Sequence, residues 1–158
     1  MWALLAAFLA LQTPDYLADG SKALDEGRFE AAAQAFTKAV EADPKDYTAH
    51  FNLALAYSMM GKDAEGVTEY RKTLDLHPKL YEAELNAGIL LLRQKNPADA
   101  LPLLADAIEQ KPEEFRPRFY LAEAQLHAGS PDAAEASYRR AAELDPKSAP
   151  AELGLAHA

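Results

Sequence analysis

The feature that most constrains this chain is a ladder of prolines. Pro44, Pro78, Pro112 and Pro146 stand 34 residues apart and make up four of the ten prolines in 158 residues. Proline lacks a backbone N–H and its ring clashes with the preceding turn, so beyond the first turn it ends or kinks a helix. A stop repeated on one fixed period predicts that the intervening segments are copies of one supersecondary unit.

Cutting two residues after each proline gives blocks 13–46, 47–80, 81–114 and 115–148. In each, a helix-period run fills the first half, a break follows near the middle, and a second run ends at the proline. The breaks are Gly27, Gly61, Asn96-Pro97 and Ser130-Pro131. The last two read as an N-cap followed by proline at the first helical position. "TPD" at Thr13 to Asp15 and "SAPAE" at Ser148 to Glu152 read as starts of first helices. Each block is therefore expected to be a helix–turn–helix, with helices of about a dozen residues. Abundant alanine and few β-branched residues favour helix over sheet. Pro102, inside a second helix, predicts a bend or a late helix start there.

Small residues recur in phase. Gly20, Ala54, Gly88 and Ala122 share one block position; Ala32, Gly66, Ala100 and Ala134 share a second; Ala39, Thr73, Ala107 and Ala141 share a third. Small side chains at fixed phase let helix backbones approach, while Phe36, Tyr70, Leu104 and Tyr138 fill the space beside them. One block cannot bury its apolar faces alone, so stacking of blocks is expected.

The period of 34, the small–aromatic–small–proline series and the paired helices resemble the tetratricopeptide repeat (TPR) family over residues 13–148. The resemblance implies an all-α, α-α superhelix of four repeats (13–46, 47–80, 81–114 and 115–148). Two departures stand out. The family's bulky first aromatic is Tyr16 in the first block but His50, Glu84 and Arg118 afterwards; its later aromatic is Tyr57 but otherwise Ala23, Leu91 and Gln125. Each departure is expected to weaken individual helix contacts. Residues 149–158 start a fifth first helix, with Leu153 and Leu155 in the phase of Leu85 and Ala87. With no polar capping helix after it, this edge points either to a longer natural protein or to a partner covering it.

Composition excludes several function classes. A net charge of −9 argues against nucleic acid, which needs clustered Lys and Arg. The absence of cysteine removes disulfides, thiolate metal sites and cysteine nucleophiles. No phosphate-binding, dinucleotide, nucleophile-elbow or HExxH motif occurs, so no catalytic residue, cofactor or metal is expected. His50, His77, His127 and His157 fall at four different block positions and read as ordinary helix or turn residues. Glu41, Glu69, Asp75, Glu109 and Glu143 read as a solvated face.

At the N-terminus, "MWALLAAFLALQ" is apolar from Met1 to Leu11, too short to span a bilayer at about 20 residues. Residues 1–12 read either as a secretory signal, lacking the usual basic start, or as a helix packing on the first repeat. Export is slightly favoured, which would place the protein in a bacterial envelope assembly. Membrane association, if any, would run through residues 1–12.

By resemblance to TPR domains, the concave face carries the site: the second, fifth, sixth, ninth, twelfth and thirteenth positions of each block. These predict a peptide-binding groove of Phe51, Asn52, Leu55, Met59, Leu85, Asn86, Ile89, Arg93, Arg116, Phe119 and Glu123. In peptide-binding relatives an asparagine at the place of Asn52 and Asn86 holds the ligand backbone; it is also a common family residue there without a ligand. Only Arg93 and Arg116 offer cations, too few for the lysine and arginine clamp with which chaperone-binding relatives grip an acidic C-terminal tail. The expected activity is a non-catalytic scaffold binding an extended or helical segment of another protein, with no small-molecule substrate. Two alternatives stay open: the repeat portion of a larger enzyme continuing past residue 158, and a module that self-associates through its C-terminal edge.

Overall fold

The computed structural model describes residues 15–157. Residues 1–14, including the apolar segment 1–12 and Thr13-Pro14 of the first start signal, lie outside the described residues. Among the described residues nine helices follow one another: α1 (Tyr16–Asp25), α2 (Phe29–Ala42), α3 (Tyr47–Met59), α4 (Asp63–Leu76), α5 (Tyr81–Arg93), α6 (Pro97–Gln110), α7 (Phe115–His127), α8 (Pro131–Leu144) and α9 (Ala149–His157). No strand occurs among the described residues. The all-α superhelix expected from the sequence is the fold observed.

The proline ladder ends the second helices through the residue ahead of each ring. Proline crowds its predecessor out of the helical region. Asp43, His77, Lys111 and Asp145, each just before a ladder proline, all have φ between −132° and −140° with ψ of 76° to 93°. Each still donates its N–H to the carbonyl four residues back: Ala39, Thr73, Ala107 and Ala141 respectively. The helix thus closes its last bond and stops.

The turn inside each repeat is equally uniform. Gly27, Gly61, Lys95 and Gly129 occupy one block position and all adopt positive φ, at 71°, 72°, 58° and 79°. Around each, two backbone bonds close the preceding helix. In the first repeat Gly27 N–H donates to Leu24 O and Arg28 N–H to Ala23 O; in the third, Lys95 donates to Leu92 O and Asn96 to Leu91 O. This is the Schellman arrangement, in which a left-handed residue satisfies the last carbonyls of the helix. Asn96 then caps α6, its side chain accepting from Asp99 N–H at 3.4 Å, with Pro97 behind it. Ser130 holds the same position before Pro131, but its hydroxyl makes no cap bond. At the start of the array Asp15 caps α1 by accepting from Ala18 N–H at 3.0 Å. Pro102 lies within α6, which begins at Pro97; the late start does not occur.

The in-phase small residues sit at the helix contacts. Ala32, Ala54, Ala100, Ala107, Ala122, Ala134 and Thr73 are fully buried, as are Phe36, Tyr70, Leu104 and Tyr138. At Gly88 an added Cβ would stand 2.7 Å from Leu104 Cγ, and at Gly66 2.7 Å from Leu90 Cδ1. The largest core cluster joins α3 to α7 around Tyr70, Leu90, Leu91 and Leu104; smaller ones surround Phe36 and Tyr138.

Two expectations need correction. Glu69 is not on a solvated face: it is 8% exposed, and its carboxylate binds His50 Nδ1 at 2.6 Å and Lys72 Nζ at 2.8 Å. His50 Nε2 lies 3.1 Å from Pro44 O, so the ring is bonded at both nitrogens. Nor are the places of the missing aromatic simply weakened. Glu84 is buried and accepts from the Gln110 amide, and Arg118 Nε donates to Pro112 O at 3.1 Å, the counterpart of the His50–Pro44 contact. Polar interlocks replace aromatic packing here, because each lost ring is succeeded by a side chain long enough to reach a partner.

Candidate functional site

Among the described residues, first helices touch directly in three of the four neighbouring pairs, α1 with α3, α5 with α7 and α7 with α9, while no pair of second helices makes a comparable contact. Successive repeats are therefore closer together on the side of the odd-numbered helices, which puts those helices on the inside of the curve. The inner face is where the groove must be.

Two apolar clefts lie on it. One, between the starts of α3 and α5, is lined by Tyr47, Thr48, Phe51, Leu80 and Glu82. The other lies between α5 and the second half of α7, about 300 Å³ in volume, and is lined by Ile89, Leu92, Arg93, Phe119, Tyr120, Glu123 and His127. Of the eleven residues expected to form the groove, the structure brings Ile89, Arg93, Phe119 and Glu123 together in the second cleft and places Phe51 in the first. Asn52 and Leu55 are half-buried on α3; Met59 is 52% exposed at its end. Arg116 is exposed at the start of α7. Leu85 differs: it is 3% exposed and belongs to the central core. It turns between neighbouring helices instead of offering a ligand surface.

The two asparagines are unequal. Asn86 Nδ2 donates to the Tyr70 hydroxyl at 3.3 Å, a ring whose burial raises its pKa to about 12. The Asn52 amide has no side-chain hydrogen bond among the described residues, leaving a donor and an acceptor for something else. Aromatic contacts stiffen the groove floor. Phe51 meets Tyr70 edge-on at 5.5 Å, and Phe119 touches Phe115, Tyr120 and Tyr138 at 5.6, 5.3 and 5.9 Å.

The charges are partly committed. Arg93 Nη2 lies 2.9 Å from Asp63 Oδ1, an ion pair out of line for a hydrogen bond, since that buried oxygen makes none. Glu123 accepts from the Tyr138 hydroxyl, and its other oxygen lies 3.9 Å from His127 Nε2. Burial, with this carboxylate beside it, pushes the Tyr138 phenol well above its ordinary value.

Leu92, Tyr120 and His127 were on groove positions in the sequence but were not singled out; the inward contact of α5 with α7 selects them. Lys95 was missed entirely. Its signal was available in the glycines at the equivalent turns, Gly27, Gly61 and Gly129. Among the described residues no group of three His, Asp or Glu could hold a metal ion, and no helix is long and apolar enough to cross a membrane.

A chain of stacked helix pairs with an apolar inner face is a helical-repeat protein. The model of the tetratricopeptide repeat family matches residues 17–81 and 85–149, and the chain belongs to that family. It is 30% identical over 95 residues to rat DnaJ homolog subfamily C member 3, covering 60% of this chain and 19% of the relative. It is 34% identical over 79 residues to the photosystem I assembly protein Ycf3 of Cyanophora paradoxa, covering 48% of this chain and 45% of that one. With the bovine protein SGT1 homolog the identity is 35% over 81 residues, covering 51% and 24%. The chain thus spans less than half the length of each of these relatives. Among solved structures, MamA from Desulfovibrio magneticus RS-1 superposes with a TM-score of 0.87 at 22% identity, over 90% of this chain and 80% of that one. YrrB, described as a TPR protein with an unusual peptide-binding site, superposes with a TM-score of 0.83 at 23% identity, over 89% and 72%. At these identities the likeness is one of fold.

Proposed function

We propose that this protein is a non-catalytic protein–protein interaction module that holds an extended or helical segment of a partner along the inner face of its first helices. The observation that carries the reading is the pair of apolar clefts with the unengaged Asn52 amide on the helix between the first repeat and the third. Apolar side chains of the ligand would enter the clefts, and Asn52 would bind its backbone as donor and acceptor at once. The Phe119 ring and its aromatic neighbours supply a rigid wall, which lowers the ordering cost of binding. That relatives of this chain include proteins named as a DnaJ homolog and an assembly factor is in keeping with work on other proteins.

The two asparagines provide the test. Partners captured by the wild type are to be measured against Asn52→Ala and Asn86→Ala. Asn52→Ala is expected to weaken binding about five- to tenfold, the value of one or two net hydrogen bonds, with no change in unfolding midpoint. Asn86→Ala is expected to lower stability by about 1 kcal/mol, since it strips the buried Tyr70 hydroxyl of its partner. Equal binding by wild type and the double variant would remove Asn52 and Asn86 from the site.

A further inference from the structure

Lys95 occupies a position that glycine fills in the other three repeats, with φ of 58°. Left-handed backbone is readily adopted by glycine and strained for a side chain with a Cβ. Space does not explain the glycines, because a Cβ at Gly27, Gly61 or Gly129 would meet nothing within 4 Å. The turn wants glycine for its backbone alone, and in one repeat it carries a lysine against that preference.

What sets this repeat apart is its surroundings. Lys95 lines a cleft of about 350 Å³ with Leu92, Pro97 and His127. Leu92 and His127 also line the apolar cleft between α5 and α7, so the two clefts adjoin across these side chains. Of the basic side chains on the shared rim, Arg93 is held by Asp63, and His127 has Glu123 beside it. Lys95 is exposed, and no carboxylate lies within ion-pair reach of it among the described residues. The molecule as a whole carries −9. That field is screened beyond about 8 Å at physiological salt, so a ligand seated in the cleft responds chiefly to the charges on its rim.

We propose that the α5–α7 cleft and the α5–α6 turn form one composite site for a partner segment in which an apolar side chain stands next to a carboxylate. The apolar group enters between Ile89, Leu92, Phe119 and Tyr120; the carboxylate meets the Lys95 ammonium, with His127 beside it. This rests on the groove reading above and names the chemistry its ligand must have.

A library of random peptides displayed on phage, selected on purified wild type, Lys95→Gly and Lys95→Gln, tests it. The wild-type pool is expected to be enriched in Asp and Glu beside apolar residues. Both variants are expected to keep the apolar preference and lose the acidic one. A synthetic peptide from the wild-type pool should bind wild type about three- to fivefold more tightly than its Asn/Gln counterpart, a ratio falling to about one on either variant. The Lys95→Gly unfolding midpoint should rise by about 2–4 °C as the strain is relieved. Lys95→Gln keeps the strained turn and removes only the charge, so retained acidic enrichment on it overturns the inference. Equal acidic content in all three pools does the same while leaving groove binding intact. A wild-type pool no richer in apolar residues than one selected on Ile89→Arg, which fills the α5–α7 cleft, overturns the groove reading and this inference with it.

Discussion

At the scale of single residues, the repeat is governed by where a side chain can be absent. Gly88 sits where a methyl group would press on Leu104, which is fully buried and has no room to retreat. Alanine is the better helix former, by up to about 1 kcal/mol, but overpacking a closed contact costs more. Gly88→Ala is expected to lower stability by about 1–3 kcal/mol in urea unfolding. Combining it with Leu104→Val should recover part of that loss. An unchanged midpoint for Gly88→Ala alone would show that the α5–α6 contact has slack. Lys95 shows the opposite choice, a side chain kept where the backbone prefers none. The ladder prolines act one residue upstream, on Asp43, His77, Lys111 and Asp145, and line neither inner-face cleft.

At the scale of elements, neighbouring helices are locked by polar side chains where the family's aromatic is missing. Glu84 on α5 is buried against α6, and desolvation, then the nearby Asp106 carboxylate, holds its pKa above the ordinary range, opposed by the Gln110 amide. A raised carboxyl pKa means the folded protein binds this proton more tightly than the unfolded chain does. Its contribution is therefore fully present below the unfolded pKa and is lost as pH rises through the folded one. Glu84→Gln keeps a hydrogen-bonding partner for Gln110 without the buried charge. The variant is expected to gain on wild type as pH rises from the ordinary carboxyl value through the folded one and to level off above it, read from paired urea midpoints. A constant difference across that range would mean Glu84 titrates alike in both states. The His50–Glu69–Lys72 contact is the equivalent lock between α3 and α4.

At the scale of the whole molecule, stability should follow the distribution of core along the array. The central cluster runs from α3 to α7, whereas the cluster beneath α8 has, among the described residues, Ala122, Ala134 and Tyr138 as its buried members. Repeat arrays open locally because each unit leans only on its neighbours. Amide hydrogen exchange is expected to be slowest in α4 to α6 and markedly faster in α8 and α9. Uniform protection would instead mean that the array unfolds as one unit.

The repeat itself was legible from the sequence, because proline and glycine act through the backbone of their own neighbourhood and leave a period on the page. The ladder fixed where second helices stop, and the in-phase alanines fixed which faces meet. Burial on the groove face was not legible. Leu85 and Phe51 share a block position, yet the packing of α5 closes over Leu85 and leaves Phe51 beside a cleft. Glu69 looked like any outward carboxylate until α4 brought it to His50 and Lys72. Asn52 and Asn86 are one residue type at one phase, and only the neighbouring Tyr70 hydroxyl makes them different. Local backbone chemistry was enough to determine a stack of helix pairs. Which side chains remain free to bind depended on contacts between residues far apart in the chain, and those exist only once the repeats have stacked.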